Sequence, residues 1–207
     1  MSLFTKLFQY VLLTSNKFNI DESHSLSHSM NVLTNAYNIF KYESIKTPII
    51  KNYEKIICVS AILHDMCDKK YMNENEGIED ISKFLEDKIT LQEIDITKKI
   101  ITTMSYSTVK KHGFPDLGLY QDAYHIVREA DLLAAYDFDR CIIYKMYKSE
   151  LNFEEAFEDA QKLFNIRVFK HNEDQLFFTE YSKLQSLKLE FDAKQRINIW
   201  KNILKKV

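Results

Sequence analysis

What most constrains this chain is what it lacks: it has only 3 Gly and 2 Pro in 207 residues. Average usage would place those two residues at about 12% of the chain. A β-sandwich or barrel needs such a punctuation mark every ~8–12 residues, and an α/β fold needs glycines at its tight connections. The fold class that remains is all-α. Hydrophobic residues at 45% and charged residues at 28% describe an ordinary packed protein, not a disordered tail, a rod or a membrane bundle. A chain of 207 residues is long enough to fill one core, and residues 1–207 read as a single domain.

The charge balance excludes one class of partner. With 28 Lys and Arg against 30 Asp and Glu, the net charge is −2, and no long-range field draws the chain to nucleic acid or an anionic membrane. The nearest thing to a basic patch, Lys98, Lys99, Lys110, Lys111 and His112, reads as a solvated face. The odd set Cys58, Cys67 and Cys141 has no thiolate-metal spacing and fits a reducing compartment, so a cytoplasmic location is expected. Residues 3–13 are apolar but broken by Lys6 and Gln9, with no small-residue cleavage site before Asp21, which predicts an amphipathic first helix. No run approaches the ~20 apolar residues of a membrane span.

Short polar breaks at 16–22, 42–48, 68–77 and 110–118 divide the helices. The stretch 179–206, rich in Leu, Lys and Gln, reads as a long C-terminal capping helix with Lys205 and Lys206 at the end where the helix dipole favours cations. Residues 151–207 carry no chemically spaced motif and are assigned to helical packing.

Three places break the apolar pattern with chemistry. The run Asp21 to His28 enters a helix expected to reach about Lys41, with Asp21 or Ser23 as its cap. On that helix His28 borders the stripe Val32, Leu33, Ala36, Ile39 and Phe40, whereas His24 falls roughly 120° from the stripe's centre and reads as an exposed capping residue. The second place ends the helix expected over 49–66, where Ile56 to His64 is free of charge until Asp65. Such a helix is buried on nearly every side, so His64 and Asp65 need a compensating partner, a hydrogen bond or solvent at the helix end. The third is Asp131, on a helix expected over 121–137. Tyr124, Val127, Ala134, Ala135 and Phe138 fall within about 60° of it, while Arg128 and Glu129 leave in other directions. Each position alone reads as a structural residue. Together, two imidazoles and two carboxylates on three core helices make an N and O donor set suited to a first-row divalent ion.

In that order on a helical chain, His28, His64-Asp65 and Asp131 resemble the H…HD…D signature of the HD-domain metal-dependent phosphohydrolases. The similarity covers roughly residues 19–150. Within that superfamily the chain is most similar to small stand-alone hydrolases acting on nucleotides, whose Asp-Ala-Asp at the last ligand is here Glu129-Ala130-Asp131. Several relatives carry a histidine where this chain has Met104, and a thioether cannot do an imidazole's work.

The resemblance implies an HD-type helical bundle holding Mn²⁺, Mg²⁺, Fe²⁺ or Co²⁺ through His28, His64, Asp65 and Asp131. It also implies a small phosphorylated substrate, a nucleotide, attacked by metal-activated water. Asp65 and Asp68 are the candidate catalytic carboxylates, and Lys69, Lys70 and Arg140 are candidate phosphate contacts. Each of the latter also reads blandly: Asp68 as a loop residue, the lysines as solvated, Arg140 as a partner of Asp137 or Asp139. Two alternatives stand beside this reading. One is a non-catalytic HD module that binds a nucleotide or a protein. The other is an HD-type di-iron oxygenase, which would need His112 and His125 as additional ligands.

Overall fold

The computed structural model describes residues 1–205, and the part of the C-terminal helix expectation that falls on Lys206 lies outside them. The described residues form α-helices joined by turns and short 3₁₀ segments, with no strand among them. In chain order the helices are α1 (Leu3–Phe18), α2 (Leu26–Lys46), α3 (Glu54–Leu63), α4 (Glu74–Leu85) and α5 (Leu91–Thr103), then α6 (Tyr106–His112), α7 (Gln121–Ala134), α8 (Phe138–Ser149), α9 (Phe153–Ile166) and α10 (Glu180–Leu204). No helix is long and apolar enough to cross a membrane.

Side chains cap the helix starts. Thr90 with Glu93 and Asn152 with Glu155 form reciprocal capping boxes at the starts of α5 and α9. Asn73, Asp137 and Thr179 each accept a backbone N–H at the starts of α4, α8 and α10. One glycine is needed for closeness: a Cβ on Gly77 of α4 would lie 2.9 Å from both Cα and Cβ of Cys67.

Helix α3 explains how the rest is arranged. Every residue from Ile56 to Leu63 is buried, as the uncharged run predicts, because the helix is a wall between two cores. Ile56, Ile57 and Ala61 face the larger core, shared with α2, α7, α8, α9 and α10. Val59, Ile62 and Leu63 face the smaller one, shared with α1, α4 and α5. Burying one of these aliphatic side chains is worth about 1.5–3 kcal/mol, so the end of α3 is held in place by both cores at once.

Two local expectations change. The helix expected over 49–66 is instead a 3₁₀ segment Pro48–Tyr53 followed by α3, and the one expected over 121–137 ends at Ala134. Arg128 and Glu129, expected to turn away from the core, are 1% and 0% exposed. Both satisfy the chain around the start of α10. Glu129 accepts from the backbone N–H of Phe178 (2.7 Å) and Thr179 (3.1 Å) and from Thr179 Oγ1 (2.6 Å), and Arg128 Nη2 donates to Leu176 O (2.5 Å). The wheel failed at these residues because α7 is covered on both sides.

Candidate metal centre

The four expected donors come from three helices: His28, His64 and Asp65 bring ligand atoms within 4.8 Å of one another, and Asp131 reaches the two imidazoles. His28 lies in the first turn of α2, His64 and Asp65 follow the last residue of α3, and Asp131 is in the last turn of α7. His28 Nε2 is 3.1 Å from His64 Nε2, 3.4 Å from Asp65 Oδ2 and 3.3 Å from Asp131 Oδ1. His64 Nε2 is 3.1 Å from Asp65 Oδ2 and 3.7 Å from Asp131 Oδ1. A divalent ion about 2.1 Å from each donor separates neighbouring donors by about 3.0 Å in an octahedron and about 3.4 Å in a tetrahedron. The spacing of His28, His64 and Asp65 fits such an ion, and Asp131 stands against the two imidazoles.

Electrostatics points the same way. Asp65 Oδ2 is buried, with the Nε2 atoms of His64 and His28 at 3.1 and 3.4 Å. Burial disfavours charge on His64, but Asp65 and Asp131 outweigh it and raise its pKa to about 9. Burial and the Arg140 guanidinium push its neighbour His28 down to about 4. Burial alone would raise the carboxyls of Asp65 and Asp131, yet the two imidazoles hold both well below the usual range. The two carboxylates thus favour positive charge at this point. His64 Nδ1 bonds Ala61 O at 3.0 Å, which leaves Nε2 to face the other donors.

The donors floor a cavity of about 430 Å³. Asp68, Lys69, Lys70 and Arg140 all line it. Their local bonds are specific. Asp68 is tied to Lys70, through the backbone N at 2.9 Å and the Nζ at 3.1 Å. Arg140 does not pair with Asp137 or Asp139. Asp137 caps α8 through the Arg140 backbone N, and Asp139 is taken by Arg196 and by Trp200 Nε1 at 2.8 Å. The Arg140 guanidinium instead donates to Ser23 O and His28 Nδ1, each at 2.7 Å. Met104 is buried and lines the same cavity.

Two expectations are corrected. His24 is not an exposed cap: the chain before α2 is a separate 3₁₀ turn Glu22–His24, and Ser25, at φ −95° and ψ −147°, breaks the path between them. That break turns His24 into the cavity, its ring centroid 6.1 Å from that of His28. The signal was the Ser23, Ser25 and Ser27 run, which offers a second helix start after His24. Nor is the segment 151–207 packing alone, because Leu163, Phe164, Arg167 and Val168 close one side of the cavity, with Arg167 stacked 4.4 Å above the Tyr106 ring. No motif marked these residues, and only the fold brings them there. His112 and His125 do not line the cavity. His112 is exposed at the end of α6, and His125 stacks on Phe178 at 4.4 Å, which removes both from the ligand set the di-iron alternative requires.

No protein-family model matches the chain, and no curated protein matches it. Among solved structures the chain is similar to a structural-genomics crystal structure of a protein from Lactobacillus plantarum, with TM-score 0.71 and 18% identity over 98% of this chain and 97% of the other. At that identity the likeness establishes a shared helical fold from end to end.

Proposed function

We propose that this chain is a metal-dependent phosphohydrolase of the HD type that hydrolyses a phosphoester or phosphoanhydride bond of a nucleotide. The observation that carries the reading is the cluster of His28, His64 and Asp65, with Asp131 at 3.3 and 3.7 Å from the two imidazoles, at the floor of a cavity. The order of these residues in the chain and their resemblance to the H…HD…D signature support it. When bound, a Mn²⁺, Mg²⁺, Fe²⁺ or Co²⁺ ion would lower the pKa of a coordinated water and polarise a phosphate oxygen.

The chain's own residues supply the rest. A substrate phosphate enters a cavity whose wall carries Lys69, Lys70, Arg140, Lys145 and Arg167, a cationic set suited to a phosphate group. Arg140 has a second role. While it donates to His28 Nδ1, that ring carries its proton at Nε2. Were Nε2 to hold a cation, the ring proton would be at Nδ1, and the Arg140 guanidinium, a donor only, would be free to serve a phosphate oxygen. The aliphatic and aromatic side, formed by Leu163, Phe164, Val168 and Tyr106, offers an apolar surface for the remainder of the substrate.

The test is phosphate or pyrophosphate release over a nucleotide panel with added Mn²⁺, with Asp65→Asn as the control. Mn²⁺-dependent turnover lost in the variant supports the reading, and equal turnover by both proteins defeats it. A binding module without catalysis would instead gain thermal stability from nucleotide while releasing nothing.

A further inference from the structure

Beside the four donors lies a second polar cluster with its own internal logic. Asp21, whose side chain is 1% exposed, accepts from Ser23 N at 3.0 Å and from the hydroxyls of Ser23 and Tyr71. The same two hydroxyls lie 2.8 Å and 3.1 Å from His24 Nδ1. Each hydroxyl has one proton to give. With that proton spent on the Asp21 carboxylate, Ser23 Oγ and Tyr71 Oη can only accept from His24, so Nδ1 carries the hydrogen. Nε2 of a neutral ring then bears a lone pair. It has no hydrogen-bond partner among the described residues, yet it is not sealed from solvent, and the ring lines the cavity with its side chain 16% exposed.

We propose that His24 is a catalytic residue whose Nε2 accepts a hydrogen bond from the attacking water, with Asp21, Ser23 and Tyr71 as positioning residues that hold the tautomer. The inference rests on the phosphohydrolase reading and extends it. A lone pair repels a phosphate oxygen and attracts an O–H or a cation, and with the cation assigned to the four donors, water is the species left for it. Asp68 is the less apt acceptor, because one carboxylate oxygen accepts the Lys70 backbone N–H and the other pairs with the Lys70 ammonium. Tyr144 flanks the imidazole on another side, ring centroids 5.1 Å apart, and helps fix the ring plane. Triads that orient a base through a carboxylate use the same arrangement; here His24 Nδ1 lies 3.5 Å from Asp21 Oδ1, with the two hydroxyls beside it.

The experiment has two readouts. Long-range ¹H–¹⁵N correlation spectra of the metal-free protein at about pH 8, where an ordinary imidazole is neutral, report the tautomer directly. His24 protonated at Nδ1 is expected, moving toward a mixture in Tyr71→Phe, and a dominant Nε2–H form overturns the proposal. Steady-state kinetics with Mn²⁺ form the second readout. His24→Gln is expected to lower kcat by about 100-fold, with KM and Mn²⁺ affinity within about twofold of wild type, and added imidazole is expected to restore turnover to His24→Gly. Unchanged kcat in an active background overturns this proposal alone. A loss of Mn²⁺ affinity matching that of His28→Ala makes His24 a ligand and also overturns it. A wild-type protein inactive over the whole panel removes the phosphohydrolase reading and this role together.

Discussion

Replacing Glu129 by Ala should be among the most damaging single changes to this protein, and the structure fixes the scale. The carboxylate is 0% exposed and accepts four hydrogen bonds, at 2.6, 2.7, 3.1 and 3.2 Å, from Thr179 Oγ1, the backbone N–H of Phe178 and of Thr179, and Arg128 Nη2. Removing it strands a guanidinium that is itself 1% exposed, leaving it Leu176 O and the faces of Phe114 and Phe178. It also orphans two backbone donors where α10 begins. Breaking a buried ion pair by deleting one partner costs about 3–5 kcal/mol, which for a chain of this length lowers Tm by roughly 10 °C. Urea unfolding of wild type, Glu129→Ala and Glu129→Gln measures it. Gln keeps one carbonyl acceptor and the shape of the site, and should recover about half of the loss. A Glu129→Ala variant within about 1 kcal/mol of wild type would refute the reasoning and put this pair in the class of solvent-screened bridges.

Three further outcomes follow from other parts of the molecule. Gly77→Ala places a methyl 2.9 Å from the Cys67 backbone, next to the metal-site loop, and should cost about 1–3 kcal/mol in the same urea assay, with a neutral result showing that α4 can shift freely. His171 is fully buried, both its ring nitrogens lack partners, and burial with the nearby Arg167 charge lowers its pKa to about 4. Below about 6.5 the unfolded chain takes up a proton that the native ring refuses, so stability present above that pH is lost as pH falls toward 4, by up to about 3 kcal/mol. His171→Phe should remove this component, and parallel pH–stability curves for the two proteins would contradict it. Arg167→Ala should raise KM for the hydrolysed nucleotide about tenfold while the Mn²⁺-induced rise in Tm stays unchanged; an unchanged KM would return the segment after α9 to a packing role.

The all-α class was legible in the sequence because scarcity of Gly and Pro acts on every turn of the chain at once. The burial of Ile56 to Leu63 was legible because an uncharged run leaves no solvent face, whichever neighbours cover it. The four donors could be chosen because polar groups at core positions of three helices are anomalies that sequence alone exposes. What escaped depended on backbone geometry or on distant chain. His24 was misplaced by extending one helix through Ser25, where a single non-helical residue redirects everything before it. Arg128 and Glu129 were misplaced because the wheel of α7 says nothing of the residues 176–179 that return to cover its other side. Arg140 read as a phosphate contact or a partner of Asp137 or Asp139, and its bonds to Ser23 and His28 follow only from setting α8 against the turn before α2.

The account depends on one cation binding all four donors, and an anomalous difference map from crystals grown with Mn²⁺ tests that most directly. It should show one peak about 2.1 Å from His28 Nε2, His64 Nε2, an Asp65 oxygen and an Asp131 oxygen. A map without a peak there, or with the ion held elsewhere while these four side chains keep their present contacts, would contradict it.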